Sequence, residues 1–231
     1  MKISLIIPCY NEEKSLEELH SKCNDLANKI DVEIIFVNNG STDNSKKLLS
    51  LLSKINKNFV YLNINENKGY GGGILEGLKK SKGDYIGWTH ADLQTNPSDL
   101  IKASELINKN KNIFIKGKRF GRPIFDNIFT IGMSFFTSII LSKGLWDINA
   151  QPTIFPKKFF DLWKNPPNDF SLDLYAYYLA KKFNLKIKRI PVFFDKRKFG
   201  SSSWNLGISS KFKFIIRTVK FTFKLRKDLL K

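Results

Sequence analysis

Residues 84–97 read DYIGWTHADLQTNP. A run of β-formers, Tyr85 to Thr89, empties into His90-Ala91-Asp92-Leu93-Gln94 and stops at Pro97. A parallel strand in an α/β protein ends this way, its carboxyl end opening on a ligand crevice. His90, Asp92 and Gln94 lie two residues apart, so in an extended conformation all three point to one side. An imidazole, a carboxylate and an amide facing one way suit a hard divalent cation or the hydroxyls of a ribose. The other reading of the same stretch is a solvated strand-to-helix loop.

The flanking sequence follows the same rhythm. Ile3–Ile7 is a short apolar run stopped by Pro8 and followed by Cys9-Tyr10-Asn11-Glu12-Glu13. Leu16, Leu19, Cys23, Leu26 and Ile30 then recur at helical spacing. Val32–Val37 reads as a buried strand and ends in Asn38-Asn39-Gly40-Ser41-Thr42-Asp43. Strand, polar loop and helix alternate in this way to about residue 117, which predicts right-handed crossovers and a mainly parallel sheet flanked by helices. The polar clusters at 8–12, 38–43 and 90–94 would then gather at one edge of that sheet.

In order along the chain stand IIPCYNEE (6–13), EIIFVNNGSTD (33–43), NKGYGGGILEGLKKSKGDYIGWTHADLQ (67–94), GKR (117–119), FSLDL (170–174) and FDKRKFGSSSW (194–204). On these six pieces the sequence resembles glycosyltransferase family 2 enzymes of GT-A fold, most closely their polyprenyl-phosphate, dolichol-phosphate mannose synthase-like branch. The resemblance implies an inverting transfer of sugar from a nucleotide-diphosphate donor with a divalent cation, Mn²⁺ or Mg²⁺. It places Pro8, Tyr10, Asn11 and Glu12 around the base and ribose, and Asn38 and Asn39 beside them. Tyr10 is expected to pack on the base, although Pro-x-Tyr-Asn is also a good turn sequence.

Gly69, Gly71, Gly72 and Gly73 precede a helical stretch at Ile74–Lys80, and glycines ahead of a helix let backbone N–H groups approach an anion. His90, Asp92 and Gln94 are the expected metal ligands, and Arg119 and Arg197 the cations facing the leaving diphosphate. Arg197, Gly200 and Ser202 match the family's Arg-x-x-Gly-x-Ser, a loop that closes over the phosphates. Asp173 matches an acid that positions the acceptor or takes its proton; Asp169 is a second candidate. Three acids of the family pattern are replaced here, by Asn38, Asn39 and His90. Asn both donates and accepts where a carboxylate only accepts, and imidazole suits Mn²⁺ better than Mg²⁺.

Composition sets the frame. With 231 residues, 42% of them hydrophobic, the chain can bury one ample core, so a catalytic domain is expected over 1–205 and a tail over 206–231. Two cysteines make no disulfide framework and suit a reducing compartment. The apolar part of MKISLIIPCYNEE is too short for a signal peptide and reads as a strand.

The net charge of +18 is concentrated late: residues 181–231 hold 16 Lys/Arg against Asp195 and Asp228. A helical projection from Lys211 puts Lys213, Arg217, Lys220, Lys224, Lys227 and Lys231 in one stripe, with Phe212, Ile215, Ile216, Val219, Phe223 and Leu230 on another face. Such a basic amphipathic helix is expected on an anionic membrane surface; the alternative is a helix docked on its own domain. No recognition module interleaves the charge, so nucleic acid is not an expected partner.

Ile124–Trp146 is apolar but interrupted, so it is read as an interfacial helix or a core helix, and no transmembrane span is expected. The expected location is cytoplasmic, peripheral to the inner face of the membrane. The acceptor is polyprenyl phosphate or, alternatively, a lipid-linked or surface glycan. A nucleotide-sugar-binding protein without catalysis is the reading from a different class.

Overall fold

A computed structural model describes residues 1–199 and 208–229. Seven strands form one sheet, in the order β3-β2-β1-β4-β6-β5-β7. They are β1 (Ile3–Cys9), β2 (Val32–Asn39), β3 (Phe59–Ile64), β4 (Tyr85–Trp88), β5 (Ile113–Phe120), β6 (Thr153–Pro156) and β7 (Lys186–Phe193). All neighbours pair parallel except β6, which runs antiparallel to β4 and β5.

The helices are α1 (Leu16–Ala27), α2 (Ser45–Leu52), α3 (Gly69–Lys80), α4 (Asp99–Lys109), α5 (Ile124–Leu141), α6 (Lys157–Phe160), α7 (Ser171–Lys182) and α8 (Ile208–Leu229). Period-two alternation sends Leu5, Ile7, Ile34 and Phe36 to one face of the sheet, where α1, α2 and α4 cover them. Ile6, Ile35, Val37 and Trp88 point to the other face, against α3 and α7. Both faces are buried, which is why these strands are almost wholly apolar.

Three expectations are corrected here. The glycines do not precede α3 but form its first turns. A Cβ on Gly71 would meet the carbonyl oxygens of Pro167 and Asp169 at 2.6 and 2.7 Å, and one on Gly77 would meet Ile6 at 2.5 Å. Their smallness lets α3 lie against the 167–169 loop and the sheet; Gly71 is packing, with its backbone away from the cleft. The extended conformation does not persist through 90–94 either. β4 ends at Trp88, and Leu93 takes φ +60°, turning the chain.

The third correction concerns α8, which docks on α5 and α7. It buries Phe214, Thr218, Thr222 and Leu225, while Phe212, Ile216 and Phe223, expected as its apolar face, stay exposed. Arg217, expected in the solvent stripe, turns inward to Asp169 at 3.7 Å and over the Phe170 and Phe214 rings. Lys213, Lys220, Lys224 and Lys227 are exposed; Lys231 and Leu230 lie outside the described residues.

Candidate functional site

A cleft of about 660 Å³ opens where the carboxyl ends of β1 and β4 diverge, β2 and β3 continuing the sheet to one side and β6, β5 and β7 to the other. That reversal of strand order is where open α/β sheets bind ligands. Pro8, Tyr10, Asn11, Glu12, Asn39, Gly69, His90, Asp92, Gln94, Arg119, Asp173 and Arg197 all line it. Asn38 and Gly71 are buried and do not line it; Gly200 and Ser202 lie outside the described residues.

The loop after β1 is fixed by reciprocal bonds to the loop after β2. Asn11 sits at φ +56°, a conformation Asn tolerates. The Thr42 N–H donates to Asn11 Oδ1 at 2.8 Å, and Asn11 N–H donates to the Ser41 hydroxyl at 3.1 Å. Glu12 is held at the cleft by its backbone N–H to Ser45 Oγ. Burial, aided by the charge of Asp92, raises the Glu12 carboxyl above its ordinary range against the pull of Arg197.

Asn38 and Asn39 are both buried and both already engaged. Asn38 Nδ2 donates to Asn63 Oδ1 at 2.8 Å. Asn39 Nδ2 donates to Gly69 O and Asn67 Oδ1, while its Oδ1 accepts from the Lys68 N–H. A carboxylate at 39 could not make the two donations, so the amide is what ties the end of β2 to the start of α3.

Arg197 bridges two carboxylates. Its Nη2 donates to Glu12 Oε1 at 2.6 Å, and Nη1 lies 3.6 Å from Asp92 Oδ2. Asp92 Oδ1 accepts from the Gln94 backbone N–H, and the Gln94 side chain donates to Asp195 O. The described residues contain no group of three or more His, Cys, Asp or Glu side chains able to hold a metal. Asp92, His90 and Gln94 line the cleft together, and with one carboxylate among them they could hold a cation only if further ligands came from a diphosphate.

Arg119 is not a free cation. It forms a bidentate pair with Asp147, joined by Arg189 at 3.6 Å. Burial pushes the Asp147 carboxyl up, but the Arg119 charge and bonds outweigh it and hold it below its ordinary value. Arg119 and Arg122 stack on one ring, Phe194, at 5.2 and 5.4 Å. Arg122 donates to the Thr130 hydroxyl, but its Nε has no partner among the described residues. Burial and the neighbouring Arg119 charge lower Arg122 to about 10.

The far wall is aromatic: Phe129 of α5, Phe170, Phe194 and Phe214 of α8. Tyr70 stacks on Phe170 at 4.3 Å and reaches the His90 ring at 5.7 Å. The sequence reading passed over this wall, over Tyr70 and over Arg122. A lone aromatic on an apolar helix carries no local mark of facing a cavity; the proximity of Arg122 to GKR was the one signal available.

Glycosyl transferase family 2 is the family whose sequence profile matches, over residues 4–173, and the chain belongs to that family. It is 26% identical over 220 residues to a dolichyl-phosphate beta-glucosyltransferase of Dictyostelium discoideum, covering 82% of this chain and 65% of that protein. It is 28% identical over 214 residues to a UDP-N-acetylglucosamine–dolichyl-phosphate N-acetylglucosaminyltransferase of Methanococcus voltae, covering 82% and 84%. The chain thus spans less than two thirds of the first of these relatives.

Among solved structures, glucosyl-3-phosphoglycerate synthase of Mycobacterium tuberculosis, in complex with Mn²⁺ and UDP, superposes with a TM-score of 0.70. The identity is 15%, covering 97% of this chain and 79% of that one. A Pyrobaculum calidifontis mannosyltransferase in complex with GDP-Man and Mn²⁺ gives 0.68 at 14%, covering 96% and 64%. These likenesses establish the GT-A fold.

Proposed function

We propose that this chain is an inverting glycosyltransferase that moves a sugar from a nucleotide diphosphate to polyprenyl phosphate at an anionic membrane surface. One observation carries the reading: the cleft has a polar end built from strand termini and an aromatic end built from Phe129 of α5, Phe214 of α8 and the loop residues Phe170 and Phe194, which suits a nucleotide at one and an amphiphile at the other. The names of the Dictyostelium and Methanococcus relatives support a polyprenyl phosphate acceptor.

At the polar end, Tyr10 packs against the base, and Glu12, Asn11 and Pro8 border the ribose. Asn39 acts through the walls it ties together, since its own hydrogen bonds are used. A divalent cation at Asp92, His90 and Gln94 supplies positive charge to the diphosphate. Mn²⁺ is favoured over Mg²⁺ because imidazole replaces a carboxylate. Arg197 leaves its Glu12–Asp92 bridge to meet charge developing on the leaving diphosphate. The bond from the anomeric carbon to that diphosphate breaks as an acceptor oxygen bonds from the opposite face. A phosphate acceptor is already ionised and needs no base, so Asp173 orients it; a sugar hydroxyl would give its proton to Asp173. Arg122, without an ion-pair partner among the described residues where Arg119 is spent on Asp147, is the cation for the acceptor phosphate.

The membrane face is the α5–α8 pair. α5 exposes Ile124, Ile128, Ile131, Phe135 and Ile139, and α8 adds Phe212, Ile216 and Phe223, an apolar surface that marks an interaction site. Lys213, Lys220, Lys224 and Lys227 line the same helix pair, supplying attraction to anionic lipid. No helix among the described residues is long and apolar enough to cross a membrane. The contact proposed is interfacial and at the inner face, with 1–205 as the catalytic domain and 206–231 as a tail whose described helix, α8, docks on α5 and α7.

The deciding experiment incubates the purified protein with labelled UDP- and GDP-sugars, Mn²⁺ and vesicles carrying polyprenyl phosphate. Label should pass to the organic-extractable lipid. Donor-induced thermal stabilisation without any transfer would instead identify a binding protein.

A further inference from the structure

Beneath Asp173 lies a lysine that no part of the reaction above employs. Lys116 of β5 is 0% exposed, and its Nζ donates to Ala150 O at 3.0 Å, Thr153 Oγ1 at 2.9 Å and Asp173 Oδ1 at 3.4 Å. The Gln151 amide donates to the same Oδ1 at 2.7 Å. Asp173 itself is 1% exposed, lies in the first turn of α7 and lines the cleft. Its Oδ2 is buried without a direct hydrogen bond among the described residues, with the Tyr70 hydroxyl beside the carboxylate.

We propose that Lys116 is a positioning residue, whose ammonium pins the Asp173 carboxylate through Oδ1 so that Oδ2 is presented to the acceptor. The inference rests on the acceptor-side role given above to Asp173. A buried ammonium costs several kcal/mol to desolvate. Two neutral oxygens would satisfy its hydrogen bonds, but only the carboxylate answers its charge. Gln151 holds the same Asp173 oxygen but carries no full charge.

The other groups facing Lys116 are Arg189 of β7, which opposes its protonation, Asp147, which favours it, and the Tyr177 ring of α7 at 6.0 Å. Burial outweighs the acids and lowers Lys116 from 10.5 to about 8. The countercharge of Asp173 is therefore present at neutral pH and withdrawn as pH rises through about 8.

The test follows the ¹³C carboxyl resonance of Asp173 in the full chain, assigned with D173N. In the wild type it should report a titration step near pH 8, the loss of the Lys116 proton. Lys116→Met and Lys116→Gln should abolish that step and shift the Asp173 carboxyl resonance at pH 7. UDP and GDP binding in the presence of Mn²⁺ should change less than about twofold. Turnover should fall at least tenfold in both variants at pH 7, and the wild-type kcat should decline above about pH 8. An Asp173 carboxyl resonance at pH 7 unchanged in Lys116→Gln overturns the proposal, as does turnover within twofold of wild type in either variant with nucleotide binding retained. Absence of wild-type transfer to polyprenyl phosphate would refute the acceptor instead, and leave the resonance to decide on Lys116.

Discussion

α5 and α7 are both apolar helices, both wall the same cleft, and they are packed in opposite senses. α7 buries ten consecutive residues, Ser171 to Ala180, including three tyrosines. α5, with more aliphatic and aromatic residues, buries Ser134, Thr137 and Leu141 and turns Ile124, Ile128, Ile131, Ile139 and Phe135 to solvent. Its inner face is satisfied locally. Thr137 Oγ1 donates to Met133 O, Ser138 Oγ to Ser134 O, and the Ser134 and Ser138 hydroxyls accept from the N–H groups of Asp147 and Leu145. α8 does the same with Thr218 and Thr222. Small hydroxyl residues share the α5–α8 contact with the Phe129–Phe214 and Phe136–Phe223 ring pairs, while Ile124, Ile128, Ile131, Phe135 and Ile139 point away. Hydrophobicity alone does not say which side of a helix is inside.

The comparison breaks most visibly by charge insertion. Ala176→Asp in α7 should cost upwards of about 4 kcal/mol, because an unpaired carboxylate is buried in a packed core. Phe135→Asp in α5 should stay within about 0.5 kcal/mol of wild type; urea unfolding of the two variants checks both. A loss of stability at Phe135 as large as at Ala176 would mean that α5 packs inside an assembly.

Next in size are effects on chemistry with the fold intact. Asp92→Ala should lower transfer by roughly 10²- to 10³-fold, with an unchanged melting curve; activity within tenfold of wild type would remove Asp92 from the cation's ligands. Arg197→Ala should lower kcat more than it weakens UDP or GDP binding, since its partner is charge that develops in the transition state. A rise in KM alone would make Arg197 a ground-state clamp.

Smaller again is the membrane term. Ile128→Asp with Phe135→Asp should abolish flotation with anionic vesicles and spare nucleotide binding. In the unsubstituted chain, raising salt should release the protein only in part, because salt screens the lysines but not the apolar ridge. Full release by salt would assign the contact to charge alone.

The smallest effect is at acid pH. Asp147 has a folded value below the 3.8 of an ordinary Asp, so its contribution is present above that value and lost as pH falls through the folded one. Asp147→Asn should therefore be less stable than wild type at neutral pH, and the gap should close below about pH 4. A gap constant down to pH 2 would mean that the Arg119–Asp147 pair contributes geometry without charge.

Apolar runs of strand length, helical spacing and polar clusters at strand ends made the alternation of strand and helix legible to about residue 117, and with it the polar end of the cleft at residues 8–12 and 90–94. Asp173, in the first turn of α7, was marked only by the resemblance of FSLDL to the family pattern. Tertiary structure alone decided which of two adjacent asparagines reaches the cleft, since Asn38 and Asn39 differ only in what stands opposite them. It decided that Arg119 is spent on Asp147 while Arg122 is not, and that the glycines of α3 serve close packing. It set Lys116 under Asp173, 57 residues apart in sequence. It also turned the apolar faces of α5 and α8 outward, because the gain from joining their hydroxyl-bearing sides depends on the neighbour each helix meets. Periodicity records that a helix has two faces; only the partner fixes which one is buried.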